Sequence, residues 1–237
     1  ADHAALEKRK ISREKKARSG DKEAKKELAL MEKLLPHLDN GKPAITASIN
    51  DDEQEIMKEF FLLTSKRTIF ACNVSEDELA NALDNPDDHP MVSKVKSYAH
   101  ETHGADAIVI SARIEEELID LSNEEANEFL QDMGITDSGV STMIRSVYQL
   151  LGLSTYLTTG EKETRAWTIN SGAKAPEAAG VIHTDFERGF IAAEVLHYDD
   201  YVEFQSKSAA RDAGKLRIEG KEYLVNDGDV IEFRFNV

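Results

Sequence analysis

Two short, uninterrupted apolar runs constrain the fold more than any other feature of the sequence. The first is Thr68-Ile69-Phe70-Ala71-Cys72 and the second is Ala107-Ile108-Val109-Ile110. Strands that are apolar at consecutive positions are buried on both faces, and when helices separate them they form a parallel α/β sheet. The sequence therefore predicts an α/β region. Two strands make a poor sheet, so we expect further strands to come from elsewhere.

Helix formers and turn residues outline a helical hairpin over residues 1–45. After a first helix at 2–18, Ser19-Gly20-Asp21 interrupts the pattern, because Gly20 can end one helix and Asp21 can cap the next. Pro36 should kink or loosen the last turn of the second helix. The spacing predicts a short antiparallel coiled coil that buries Ala24, Leu28, Met31, Leu35 and Leu38 against a poorer stripe of Leu6, Ile11 and Ala17.

Residues 46–152 are predicted to hold the α/β region. Ser75 with Glu78, and Ser122 with Glu125, have the spacing of capping boxes that start helices. The last helix of this segment, 138–151, is expected to bury Val140, Ile144, Val147 and Leu151.

Residues 153–237 are predicted to form a separate α+β domain, because short strand-like runs alternate there with turns such as Thr159-Gly160-Glu161. Short helices are expected at 184–188, 198–204 and 207–212. The strand-like runs are 153–158, 164–169, 189–196, 215–219, 222–225 and 230–235.

The charge is acidic overall and unevenly distributed. The chain has 45 acidic and 29 basic side chains, a formal net charge of −16, which argues against nucleic-acid binding through bulk positive charge. Residues 1–35 reverse the sign, with 11 Lys/Arg against 7 Asp/Glu. These basic residues are either a solvated helical face or an arm that contacts RNA or another polyanion.

Several classes of protein are excluded by residue counts and spacing. The one cysteine, Cys72, rules out an internal disulfide framework and a cysteine zinc site, and suits a reducing cytoplasm. The apolar stretches fall far short of the roughly 20 residues that a membrane helix needs. His100 and His103 have the spacing of a metal pair but lack a nearby third ligand, so no metal site is predicted.

Polar residues follow both apolar runs where each predicted strand ends. Asn73-Val74-Ser75-Glu76 follows the first strand and Ser111-Ala112 follows the second. Ligands bind at the carboxyl ends of parallel strands. There, the amide of Asn73 and the carboxylate of Glu76 can form hydrogen bonds with the edge of a purine, and backbone N–H groups of the second turn can donate to the base. An ordinary helix cap would also explain the first turn.

The first turn departs from the usual base-reading corner of P-loop GTPases, which is Asn-Lys-x-Asp. Glu76 is one methylene longer than Asp, and Val74 replaces the Lys. These differences should spoil a guanine contact and leave an apolar shelf for a base.

The sequence closely resembles the C-terminal two-thirds of the YchF family, the Obg-like ATPases. The resemblance covers almost the whole chain. It rests on the motifs at 19–24, 73–76, 164–169, 179–191 and 227–237.

This resemblance implies a P-loop NTPase domain interrupted by a coiled coil and followed by a TGS domain of ubiquitin-like β-grasp fold. It implies an enzyme that binds and hydrolyses ATP in preference to GTP, associates with the ribosome and its RNA, and acts in translation and stress responses in the cytoplasm. Asn73, Val74, Glu76, Ser111 and Ala112 would frame the adenine. Neither a membrane nor DNA is an expected partner, and the chain is expected to be a monomer. In the TGS segment the candidates for RNA contact are Lys174, Lys207, Arg211 and Lys215.

No Gly-x-x-x-x-Gly-Lys-Ser/Thr string occurs in the sequence, so the residues that would cradle phosphates are expected upstream, together with the Mg²⁺ ligands. We therefore expect a fragment that does not hydrolyse ATP by itself and contains no catalytic residue. Two alternatives stay open: a module that binds the ribosome or RNA without nucleotide, and an interaction scaffold whose partner supplies the missing strands.

Overall fold

The computed structural model describes residues 1–160 and 163–236. It divides into two compact units, Ala1–Ser146 and Val147–Val237, and the division falls within one helix. Glu161 of the predicted turn at 159–161 and Val237 of the motif at 227–237 lie outside the described residues. The finer borders expected from the sequence, after residues 45 and 152, stay a prediction.

The first unit contains a helical hairpin followed by an α/β region. Strands β1 (Phe70–Asn73) and β2 (Ala107–Ile110) pair in parallel, which confirms the expectation drawn from their apolar runs. Single-turn 3-10 helices occur at Ala44–Thr46 and Leu63–Ser65. The helices are α1 (Asp2–Arg18), α2 (Lys22–Asp39), α3 (Asp51–Lys58), α4 (Glu76–Asp84), α5 (Pro90–His103), α6 (Ala112–Leu118), α7 (Asn123–Asp132) and α8 (Gly139–Leu151), which continues into the second unit.

The hairpin turn forms as its sequence predicts. Gly20 adopts a positive φ of 95°, and the Asp21 carboxylate accepts hydrogen bonds from the N–H groups of Glu23 and Ala24 at 3.0 and 3.1 Å. The predicted packing stripe is wrong in part, because α2 also packs on the segment that follows it, through Ala44, Phe60 and Leu62. The apolar residues buried on the hairpin are Leu6, Ala24, Leu30, Met31 and Leu34, whereas Leu28, Leu35 and Leu38 are half-buried and Ile11 is exposed.

One buried carboxylate links the two helices of the hairpin. Glu27 of α2 is buried, and its Oε2 lies 3.0 Å from Nε of Arg9 and 2.9 Å from Nε of Arg13 on α1. Arg9 also donates to the Glu59 carbonyl at 2.8 Å and lies over the Phe60 ring. Since a buried charge is tolerated only when it is paired, these contacts fix which faces of α1 and α2 meet.

Local signals position the helices that surround the strands. Helix α5 begins at Pro90 and ends at His103, and Gly104 caps it with a φ of 56°. Ser122 and Glu125 form the predicted capping box. Ser75 is the N-cap of α4, but its hydroxyl donates to the Glu78 carboxylate at 2.6 Å rather than accepting from the backbone. The core of this region is formed by Leu79, Val92, Val109, Ile114, Leu130 and Ile135.

The predicted burial of α8 is wrong. The residues expected to face a core, Val140, Ile144, Val147 and Leu151, are 37% to 58% exposed. The helix forms and is strongly amphipathic, so the helical spacing of its apolar residues was predicted correctly. Burial also needs an apolar surface opposite the stripe, and the described residues do not cover these four side chains.

The second unit is a mixed α+β fold, as expected. Its elements are β3 (Leu153–Thr159), β4 (Thr164–Asn170), α9 (Ala175–Ile182), α10 (Thr184–Arg188), β5 (Phe190–His197), α11 (Tyr198–Phe204), α12 (Lys207–Asp212), β6 (Arg217–Glu219) and β7 (Asp229–Phe235). The strands lie in the order β4-β3-β7-β5-β6, with β3 parallel to β7 and the other neighbouring pairs antiparallel. The run at 222–225 forms an isolated bridge between Leu224 and Lys174 rather than a strand.

Helix α9 packs on this sheet through small residues. Ala178 and Ala179 are fully buried beside Tyr156, Phe190 and Ile231. The Tyr156 hydroxyl donates to the Ala178 carbonyl at 2.9 Å, and burial raises the pKa of this phenol far above its usual range. Tyr156 therefore joins β3 to α9 as a neutral donor within the core.

Candidate functional site

The carboxyl ends of β1 and β2 lie side by side. Asn73 is in register with Ile110, and the Val74 N–H donates to the Ile110 carbonyl at 2.9 Å. Parallel pairing sends both chains out of the sheet at the same edge. The turn at 73–76 and the turn at 111–112 therefore start next to each other, as the sequence predicts.

A side-chain hydrogen bond joins the two turns. The Asn73 Oδ1 accepts from the N–H of Ala112 at 2.9 Å. The Nδ2 group of Asn73 has no hydrogen-bond partner within residues 1–160 and 163–236, and the side chain is exposed. Asn73 thus positions the Ser111–Ala112 turn with its oxygen and keeps its amide donor available, while the Ala112 N–H is occupied by Asn73.

Val74 and Glu76 lie on the same turn but differ in burial. Val74 is half-buried against the core of the α/β region. Glu76 is the first residue of α4, and its carboxylate is exposed. The Ser75 hydroxyl is committed to Glu78, whose pKa is lowered chiefly by that hydrogen bond. An apolar surface and an exposed carboxylate are therefore the groups that this turn presents.

Ser111 is buried, in contrast to Ala112. Its Oγ has no hydrogen-bond partner in the described part of the chain, and the residue lines a small cavity with Leu79, Ile114 and Gly139. The Ser111 side chain therefore packs in the interior beneath its own turn and is not exposed to a ligand. Any contact from Ser111 to a ligand would come from its backbone.

Arg113 is a site residue that sequence reasoning missed. Its Nε lies 3.9 Å from the Glu76 carboxylate and 3.5 Å from that of Glu117, and the side chain is exposed. The available signal was its position directly after Ser111-Ala112, with Glu117 four residues later on α6. The corner therefore holds a cation beside the acid that was predicted to read the base.

The histidine and cysteine near the two turns are packed in the structure. The His103 ring packs against Phe70 and Tyr98, with ring centroids 5.0 and 5.7 Å away. Burial raises the pKa of the Cys72 thiol, which keeps it protonated. Within the described ranges, no three His, Cys, Asp or Glu side chains come together as metal ligands. No helix in the described part of the chain is long and apolar enough to cross a bilayer.

Comparison with known proteins places the chain among related sequences. The family model YchF-GTPase_C, described as a protein of unknown function (DUF933), matches residues 153–236. The chain is 46% identical over 237 residues to the protein of Bacillus subtilis named ribosome-binding ATPase YchF, covering all of this chain and 63% of that protein. It is 47% identical over 224 residues to the Haemophilus ducreyi protein of the same name, covering 94% of this chain and 60% of that protein.

A solved structure agrees over most of the chain. The structure of the Schizosaccharomyces pombe YchF GTPase matches with a TM-score of 0.72 and 32% sequence identity, covering 98% of this chain and 64% of that one. The chain thus spans less than two thirds of the length of these relatives. The parallel strand pair, with the α+β unit that follows it in the chain, puts the described residues among mixed α/β proteins. Along almost its whole length the chain is similar to the proteins named YchF, and residues 153–236 match the C-terminal YchF family model.

Proposed function

We propose that this chain is the base-recognition and C-terminal part of a ribosome-associated YchF-type enzyme that hydrolyses ATP in preference to GTP. The observation that carries the proposal is the Asn73–Ala112 hydrogen bond, because it brings the two predicted base-reading turns together at the carboxyl ends of parallel strands. The names of the relatives, ribosome-binding ATPase, support the ribosome as partner and the cytoplasm as location.

Each residue of the corner has a proposed role. The Nδ2 of Asn73 donates to an acceptor on the base, the Glu76 carboxylate accepts from the exocyclic amine of adenine, and Val74 lies against the ring. Ser111 and Ala112 bound the other side, and Asn73 holds them in place. A carboxylate accepts but does not donate, so it suits an amine-bearing edge.

The residues of this chain fit the base and not the rest of the nucleotide. Phosphoryl transfer depends on groups that position phosphates and Mg²⁺. The sequence lacks the Gly-x-x-x-x-Gly-Lys-Ser/Thr string, and no Mg²⁺ ligand is assigned among the described residues. We therefore propose that this chain by itself does not hydrolyse ATP and that it is monomeric. In this proposal the C-terminal unit is a β-grasp TGS domain and the hairpin is a coiled coil.

Nuclear magnetic resonance titration with AMP and GMP tests the base site on the chain itself. We expect millimolar AMP to shift the amide resonances of residues 73–76 and 111–113, and to shift them more than GMP does. Glu76→Asp should move the preference toward GMP, since the shorter acid restores the usual guanine-reading geometry. Glu124→Asp, on the exposed start of α7, is the matched control. Shifts scattered over the chain, or a preference unchanged by Glu76→Asp, would reject the proposed corner.

A further inference from the structure

We propose that an open groove between α6, α7 and the start of α8 binds a basic amphipathic helix of a partner protein. The groove lies entirely within the first unit, and its lining residues run from Glu115 to Ser141. We call this surface the acidic groove. The inference goes beyond the proposed function and does not depend on it.

Helices on three sides form the acidic groove. Its apolar lining consists of Leu118 and Ile119 at the end of α6, Ala126 and Leu130 on α7, and Val140 on α8. The groove has a volume of about 570 Å³. Cavities that bind ligands measure roughly 300–1,000 Å³, so the groove is large enough to receive several side chains of a partner.

A hydrogen bond and a close approach fix two walls of the groove. The Glu115 Oε1 accepts from the Gly139 N–H at 2.6 Å, which ties α6 to the first residue of α8. A Cβ at position 139 would lie 2.9 Å from Cγ2 of Ile110, so glycine permits α8 to start this close to the end of β2. Local contacts therefore determine how α6 and α8 are placed around the groove.

Apolar side chains in the groove remain open to solvent. Ile119 is 79% exposed and Val140 is 50% exposed, while Leu118 and Ala126 are half-buried. Single exposed apolar residues are common, but several that line one cavity mark a site of interaction. These four side chains can form the apolar centre that a protein interface needs.

The charge around the groove has one sign. Residues 114–144 contain nine Asp or Glu and no Lys or Arg, so this stretch accounts for −9 of the net charge of −16. A cleft lined by one sign of charge concentrates ligands of the opposite sign. The acidic groove should therefore attract cationic partners and repel polyanions.

Five of these nine acids have no side-chain partner within residues 1–160 and 163–236. Glu117 and Asp137 pair with arginines. Glu115 and Glu125 accept hydrogen bonds from backbone N–H groups. The other five are exposed and make neither an ion pair nor a side-chain hydrogen bond with a described residue: Glu116, Asp120, Glu124, Glu128 and Asp132. Their charge is therefore available to a ligand.

Three of the free acids border the groove. Glu116 directly follows a lining residue on α6, and Glu124 and Glu128 each follow a lining asparagine on α7. These asparagines, Asn123 and Asn127, have no side-chain hydrogen bond to a described residue, so they can bond to polar groups of a partner. An apolar floor with a rim of acids and amides is complementary to a helix that has one apolar and one basic face.

Other occupants suit this surface less well. The acidic rim repels nucleic acids and anionic lipid headgroups. A second copy of the chain would bring its own acidic groove and a net charge of −16. The lining residues belong to helices and the turns between them, so they offer no strand edge to an extended peptide. A groove between helices instead accepts the i, i+3, i+4 and i+7 side chains of another helix.

Fluorescence anisotropy with labelled synthetic peptides tests the acidic groove on the whole chain. The probe is a peptide of about 18 residues with leucines on one helical face and lysines on the other. A second peptide has the same composition in an order that scatters the leucines, and a third has glutamate in place of lysine. We expect the probe to bind at least about tenfold more tightly than either of the others, and added salt to weaken its binding.

Apolar variants locate the binding. Ile119→Ser combined with Val140→Ser should lower the affinity for the probe at least about fivefold, because it removes the exposed apolar lining. The matched control combines Ile191→Ser with Ile218→Ser, at positions of the second unit that are 58% and 65% exposed, and should change the affinity less than about twofold. Ile119→Ser alone, at the more exposed position, keeps the test valid if the double variant unfolds.

Charge variants test the rim. The rim variant carries Glu116→Gln, Glu124→Gln and Glu128→Gln. The control variant carries Glu32→Gln, Asp84→Asn and Glu101→Gln, which are exposed acids without an ion-pair partner among the described residues. Both sets change the net charge equally. We expect the rim variant to lose at least about threefold in affinity at low salt and to depend less on salt, and the control variant to lose less than half as much.

Binding of the probe that falls in the apolar and rim variants, and in neither control, supports the proposal. Equal losses in the groove and control variants would overturn it, because the peptide would then bind the acidic chain without a defined site. Equal binding of the peptide with scattered leucines would overturn it too, and a loss in the apolar variant alone would reject a basic partner. Self-association that Ile119→Ser abolishes, measured by analytical ultracentrifugation without peptide, would assign the groove to a second copy instead.

Discussion

The side chain of Asn73 and the backbone of Ala112, 39 positions apart in the chain, are joined by a 2.9 Å hydrogen bond. This bond connects the turns that follow β1 and β2. The two ends of the Asn73 side chain therefore have different roles. Its Oδ1 holds the second turn, and its Nδ2 group remains available to a ligand.

Two substitutions of Asn73 should separate these roles. Asn73→Ala removes the acceptor, so the Ala112 amide should exchange with solvent several-fold faster and the free energy of unfolding should fall by about 1 kcal/mol. Asn73→Asp keeps an acceptor but loses the Nδ2 donor, so Ala112 should stay protected while the AMP shifts disappear. Hydrogen exchange followed by nuclear magnetic resonance measures both effects. Equal exchange rates for Ala112 in the two variants would show that the bond does not hold the turn.

Replacing Glu27 should weaken the hairpin. Glu27→Gln leaves Arg9 and Arg13, which are 27% and 26% exposed, facing a neutral group between the helices. Removing one partner of a fully buried ion pair costs about 3–5 kcal/mol. Because these arginines still reach water, we expect a loss of about 1–3 kcal/mol in the free energy of unfolding, measured by urea denaturation.

Glu23→Gln is the matched control for Glu27→Gln. Glu23 lies on the same helix, and its ion pair with Lys26 is exposed, so its replacement should change stability by less than about 0.5 kcal/mol. If both variants lower the free energy of unfolding equally, the burial of Glu27 does not increase the stabilisation that its ion pairs provide.

Asp2 should make part of the stability of the first unit dependent on pH. Burial of its carboxyl opposes ionisation, but hydrogen bonds from Thr64 and Leu63 outweigh burial, so the pKa lies below the ordinary value of 3.8. The folded state therefore binds the proton less well than the unfolded chain does. This contribution is complete above the unfolded pKa and disappears as the pH falls through the lower folded value.

The variant Asp2→Asn measures that contribution. At pH 7 it should lower the free energy of unfolding by about 1–2 kcal/mol, because Asn cannot accept all three hydrogen bonds that the carboxylate receives. Below about pH 4 the difference from the unmodified chain should shrink. Asp87→Asn, at an exposed loop position, should make little difference at either pH. A penalty for Asp2→Asn that stays constant with pH would contradict the assignment.

Local features of the fold could be predicted from the sequence because each depends on a few adjacent residues. Gly20 and Asp21 define the hairpin turn, Pro90 and Gly104 bound α5, and the apolar runs pair as parallel strands. The meeting of the turns after β1 and β2 followed from the same reasoning, since parallel strands end at one edge. The base-reading roles of Asn73 and Glu76 stay predictions.

Features that depend on the surroundings of a helix were predicted less well. The apolar stripe of α8 was visible in sequence, but burial depends on a second surface, and Val140 and Ile144 remain exposed. On α2 the stripe shifted toward Leu30 and Leu34 because the segment after the hairpin covers that side. Arg113 was missed because a charged residue on an exposed helix face carries no periodic signal.

The position of Glu27 also determines the reach of the hairpin. Arg9 and Arg13 are about one turn apart on α1, so a slip of one helix past the other by a single turn, about 5.4 Å, would leave Glu27 beside only one of the two arginines. The alignment in which Glu27 meets both arginines is therefore favoured over a slipped one. In that alignment the distance along the hairpin from Glu27 to the turn at Gly20 is fixed.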